Sequence, residues 1–105
     1  MRFELLVVPD CPHAAAAEAV YDSVLARAGL STTVVVVVVD DDTAAVQRGF
    51  VGSPSFFADG RDLLPAPGAR PAVACRVYRD EHGRPSGLPT EQVLLAAIRA
   101  RVRLS

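Results

Sequence analysis

The chain has 105 residues, half of them apolar, with a formal net charge of −1. That length predicts one domain over residues 1–105 with one core, and the apolar share excludes a disordered chain. All eleven basic residues are arginine against twelve acidic ones, so no basic surplus exists to neutralise a nucleic-acid backbone.

No apolar run exceeds six residues, as in Val34 to Val39, whereas a membrane span needs about 20. Near the N-terminus, Glu4 interrupts the apolar residues and Pro9-Asp10 ends them, which is too short for a secretory leader. These features predict a cytoplasmic protein with no membrane partner. Two cysteines make no disulfide framework, so each is read as reactive or merely structural.

Phe3 to Val8 has the length and branching of a strand. Pro9-Asp10 stops it, and Asp10 is a candidate cap for a helix running from Pro12 to Ala28, closed by Gly29. Ala17, Val20, Val24 and Ala28 recur at helical spacing and predict its buried stripe. Thr32 to Val39 reads as a strand apolar on both faces, covered on each side. Asp42 or Thr43 then caps a short helix through Arg48, closed by Gly49. Ser55 to Ala58 is a further strand, followed by the turn Asp59-Gly60. Gly60 to Ala72, with three prolines, reads as loop. Val73 to Arg79 is the last strand, with Val73, Cys75 and Val77 on one face and Arg76 and Tyr78 on the opposite, surface side. His82 to Leu88 is loop, and Thr90 caps a final helix with Leu94, Ala97, Ile98 and Val102 inward.

The order β-α-β-α-β-β-α predicts an α/β sandwich of three layers around a mixed four-stranded sheet. Pro9-Asp10-Cys11-Pro12-His13-Ala14 after the first strand and Gly52-Ser53-Pro54-Ser55 before the third resemble the thioredoxin-like family, which the element order follows over nearly the whole chain. The resemblance implies a reactive cysteine, Cys11, at the start of the first helix, and a cis-proline, Pro54, facing it. Ser53 and Pro54 would then offer backbone groups to an extended thiol substrate. The positive end of a helix dipole favours thiolate, a charged His13 would help, and the adjacent Asp10 opposes. The alternative is a half-buried structural cysteine at a strand end.

The sequence departs from that family at Ala14, where thioredoxins carry their second cysteine. A disulfide within this motif is impossible, which leaves monothiol chemistry: a mixed disulfide with a low-molecular-weight thiol or a thiol protein, resolved by another thiol. Cys75 is the remaining candidate for a second thiol. In the resembled fold its strand lies two strands from the first, roughly 10 Å away. That strand runs parallel to the first, so its start lies far from the active end. A disulfide needs Cα atoms within about 7 Å, so the expectation is a small buried strand residue.

Ala74-Cys75-Arg76-Val77-Tyr78 with Leu88-Pro89-Thr90-Glu91 is also similar to the segment that carries the second catalytic cysteine of organomercurial (alkylmercury) lyases. That similarity implies a soft-metal site made by Cys11 and Cys75. The aspartate such lyases carry three residues after the first cysteine is Ala14 here, which favours binding over lysis.

Other features have plainer readings. Cys11-x-His13 lacks ligands for a closed zinc site beyond Cys75 and His82. Asp40-Asp41-Asp42 reads as a solvated strand end, and Leu63-Leu64 as a loop segment packing back on the domain. The sequence thus predicts a thiol-dependent oxidoreductase, if it is an enzyme, with no cofactor. A non-catalytic binding or scaffold module and a soft-metal protein are the alternatives. A homodimer could form by pairing of the last strand with a second copy, although its arginines blunt that edge.

Overall fold

The computed structural model describes residues 1–104. Its elements are β1 (Phe3–Val7), α1 (Ala14–Arg27), β2 (Val35–Val38), α2 (Asp42–Arg48), β3 (Ser55–Ala58), β4 (Arg61–Asp62), β5 (Tyr78–Arg79), β6 (Pro85–Ser86) and α3 (Glu91–Leu104). The mixed α/β architecture predicted from the sequence is present. The main sheet has the order β2-β1-β3-β4, with β1 parallel to β2 and antiparallel to β3. No helix among the described residues is long and apolar enough to cross a membrane.

Alternation along β1 divides the core. Phe3, Leu5 and Val7 face α1 and α3, joined there by Tyr21, Val24, Phe56, Leu94 and Ile98. Leu6 faces the other way, with Phe57, Phe50 and Ala45 of α2. Glu4 shares that second side as a buried carboxylate, paired with Arg48 of α2 at 3.5 Å and with Arg2 at 3.4 Å. On the first side, edge-on ring contacts run from Phe3 to Tyr21 to Phe56 to Tyr78, with centroids 5.1–6.2 Å apart. Each such pair contributes about 1 kcal/mol beyond its buried area. The Tyr21 hydroxyl donates to the Phe57 carbonyl at 2.7 Å, tying α1 to β3.

Local signals account for most element ends. Asp41 rather than Asp42 or Thr43 caps α2, its side chain accepting from the Ala44 N–H at 2.7 Å. Thr90 caps α3 through the Val93 N–H. Asp59 and Gly60 both have positive φ, the signature of a tight hairpin turn between β3 and β4.

Several expectations need correction. Helix α1 begins at Ala14, not Pro12. Asp10 is no cap, because it turns the chain at a φ of +57°, a conformation aspartate tolerates. Strand β2 is not covered on both faces: as an edge strand it leaves Val35, Val36 and Val38 exposed. The fourth strand is Arg61–Asp62, drawn from the stretch read as loop, because the tight turn at Asp59-Gly60 returns the chain directly onto β3. Residues 80–84 form the turn of a separate β5–β6 hairpin, in which Asp80 accepts from the N–H groups of His82 and Arg84. Leu63 and Leu64 pack against the main core, as expected of them.

Candidate functional site

The candidate site lies at the end of the sheet where β1 finishes. The β1–β3 register sets Leu6 against Ser55, and two residues further on the Val8 N–H donates to the Ser53 Oγ at 3.0 Å. The Ser53–Pro54 peptide is cis, in agreement with the resemblance. Ser53 and Pro54 are both buried. Cys11 follows Val8 by three residues, is partly exposed, and packs on the α1/α3 side of the core.

Cys11 stands in the turn before α1, two residues ahead of the helix boundary at His13. Its carbonyl accepts from the Ala14 N–H at 3.2 Å, and His13 places no side chain on the first-turn amides. The α1 N-terminus therefore keeps uncapped N–H groups beside the Cys11 turn. His13 is exposed, and its ring rests on Gly87 in the segment before α3. A Cβ at Gly87 would stand 2.5 Å from the His13 Nε2, so only glycine lets the ring lie there.

The segment 74–78 departs most from expectation. It is no strand of the main sheet, yet Cys75 forms an isolated parallel bridge with Ser53. The Ser53 N–H donates to the Ala74 carbonyl at 2.8 Å, and the Arg76 N–H donates to the Ser53 carbonyl at 3.0 Å. Both backbone groups of Ser53 are thus taken by the chain itself. They are not open to an extended substrate. Cys75 is exposed rather than buried, and it lies at the Cys11 end of the sheet rather than the far one. The reason is that the last strand of the expected sheet is supplied by Arg61–Asp62. Residues 65–73 are then free to return the chain to the Ser53 turn.

Arg76 and Tyr78, read as surface residues, are buried. Arg76 donates to the Asp62 Oδ2 at 2.7 Å, to the Ser55 Oγ at 3.0 Å and to the Leu64 carbonyl, and its guanidinium lies 4.6 Å from the Tyr78 ring centroid. The Tyr78 hydroxyl donates to the Pro54 carbonyl at 2.5 Å, and the Ser55 hydroxyl to the Gly52 carbonyl at 2.5 Å. Burial pushes the Asp62 carboxyl above its ordinary range, and the Arg76 charge pulls it part of the way back. Burial also pushes the Tyr78 and Tyr21 hydroxyls well up, so both remain protonated donors. Gly52 has a φ of +146°, and a Cβ there would stand 2.7 Å from the Arg76 Cβ. Sequence reading missed this cluster because one arginine among eleven carries no mark. The signal available was Tyr78, a large aromatic sharing the strand face of Arg76.

Among the described residues, no three or more histidine, cysteine, aspartate or glutamate side chains gather where they could hold a metal ion. Cys11, His13, Cys75 and His82 therefore do not assemble a closed zinc site. No family model matches the chain, and neither a curated protein nor a solved structure matches it.

Proposed function

We propose that this protein is a thioredoxin-like thiol protein in which Cys11 is the nucleophile of redox or thiol-transfer chemistry. The observation that carries the reading is the placement of Cys11: partly exposed, beside the uncapped N-terminus of α1, and three residues beyond the Val8–Ser53 hydrogen bond. The layer order, with α1 and α3 on one side and α2 on the other, supports the family resemblance. Thiolate at Cys11 attacks a sulfur of a small disulfide. One thiolate leaves and a mixed disulfide remains on Cys11. His13 at the helix boundary is a positioning residue for this turn, held by its contact with Gly87.

The test is the rate at which the reduced protein consumes oxidised glutathione. Cys11→Ser should slow it by about tenfold or more, the loss expected when the attacking sulfur is removed. A C11S variant that keeps the wild-type rate would overturn the reading.

A second reading rests on the two thiols sharing one end of the sheet. Cys11 and Cys75 would hold a soft ion in two-coordinate fashion, as the similarity to organomercurial lyases implies. Mercuric ion should then bind one to one and be lost in either Cys→Ala variant. Retention in one of them would count against it.

A further inference from the structure

Resting on the thiol reading, we propose that Cys75 is the resolving thiol of Cys11, carried to it by a segment of the chain that occupies the substrate position. The argument starts from Ser53. The residue before the cis-proline has its N–H and carbonyl filled by Ala74 and Arg76. Residues 74–76 therefore dock as an extended peptide on the Ser53 turn, and the residue at the centre of that docked triplet is a cysteine.

Three further observations bear on its use. Cys75 is exposed while its neighbour Arg76 is buried, so the segment is anchored by one residue and presents the next. The anchor is strong: Arg76 binds Asp62, Ser55 and Leu64, and Tyr78 binds Pro54. Val8, Ser53 and Cys75 are successive neighbours across the sheet end, two strand spacings or about 10 Å in all. Cys11 lies three residues beyond Val8, a stretch that can span about 10 Å. The hydrogen bonds of its turn among the described residues are local ones. A disulfide needs the two Cα atoms within about 7 Å, and with residues 74–76 anchored on the Ser53 turn the approach falls to the Cys11 turn.

The reaction balances without a metal or cofactor. Cys11 thiolate displaces one thiolate from a low-molecular-weight disulfide and becomes a mixed disulfide. Cys75, as thiolate after giving its proton to solvent, attacks the Cys11 sulfur. The second small thiolate leaves, and the Cys11–Cys75 disulfide forms. The small disulfide has been reduced to two thiols and the protein oxidised by two electrons. A low-molecular-weight dithiol reverses the step and completes the cycle. Ala14, where a second cysteine of the motif is missing, is thereby compensated from the other side of the Ser53 turn.

The test mixes reduced protein with one equivalent of oxidised glutathione and reads the products by intact mass and by peptide mass spectrometry under non-reducing conditions. Wild type should end as a monomer two hydrogens lighter, with a peptide linking Cys11 to Cys75 and no retained glutathione. Cys75→Ser should stop at a glutathione adduct on Cys11. A wild type that retains the Cys11 adduct as C75S does would overturn Cys75 as the resolving thiol and leave the role of Cys11 standing. A wild type in which Cys11 does not react at all would overturn both. Cys75 is exposed and its side chain anchors nothing, so C75S should keep the wild-type unfolding midpoint, and Cys75→Ala gives an independent second variant.

Discussion

Two turns meet at this end of the sheet, and they are built in opposite ways. The turn from Gly52 to Ser55 is tied at nearly every polar group: to Val8, to Ala74 and Arg76, to Tyr78, and within itself through the Ser55 hydroxyl. The turn from Pro9 to His13 has local hydrogen bonds, an uncapped helix start and a packing contact at Cys11. Satisfied buried polar groups fix a geometry, because breaking one leaves a desolvated partner. A thiol that must approach and leave a partner sulfur gains from the opposite arrangement. The comparison assigns rigidity to the Ser53 side and movement to the Cys11 side.

The most damaging way to break this arrangement is Arg76→Met. It leaves the Asp62 Oδ2 and the Leu64 carbonyl without the Arg76 donor, and removal of one member of a buried pair costs about 3 kcal/mol. Denaturant unfolding should record that loss. Gly52→Ala comes next. Its Cβ would overlap Arg76 and its φ is unsuited to alanine, for a cost of about 2 kcal/mol. If G52A left stability unchanged, the 74–76 segment would not be seated on the Ser53 turn as described.

Ser53→Ala sharpens the comparison at a smaller scale. It removes the acceptor of the Val8 N–H and should cost about 1 kcal/mol. The bond joins the rigid turn to the strand that leads into Cys11. The variant should therefore also slow closure of the Cys11–Cys75 disulfide while leaving the first attack by Cys11 intact.

The smallest effect is a pH dependence. Burial raises the folded-state value of Asp62 above the ordinary 3.8, so the folded protein holds that proton more tightly than the unfolded chain. Its contribution to stability rises as pH falls through the raised value toward 3.8, and is absent above it. The stability difference between wild type and Asp62→Asn should accordingly shift in favour of wild type on acidification through that window. A shift in the other direction would mean that the Arg76 pairing outweighs the burial.

The β3 strand with its turn and the start of α3 were the most legible in sequence. Ser55 to Ala58, the Asp59-Gly60 turn and the Thr90 cap carry local signals that tertiary structure left in place. The valine run was misread because periodicity reports apolarity, not what covers it; β2 sits at an open edge. The segment from Gly60 to Arg79 failed for a different reason. A two-residue strand carries almost no pattern, and the arrival of residues 74–76 at Ser53 is a long-range backbone pairing with no side-chain signature. Cys11, His13, Ser53 and Pro54 could be named from their motifs. Cys75 was named as well, as a second thiol candidate, but its exposure and its bridge to Ser53 required the fold.

The most direct test of the central claim is a competition between the two thiols for iodoacetamide. Limiting reagent is added to the reduced protein at fixed pH, and each cysteine is quantified by peptide mass spectrometry. Exposure alone favours Cys75, since Cys11 is partly covered by the core. The account predicts the reverse, with Cys11 alkylated faster because it is the nucleophile, placed beside the uncapped N–H groups of α1. If Cys75 reacts first and Cys11 lags in proportion to its burial, Cys11 is a structural cysteine and the thiol-transfer reading is wrong.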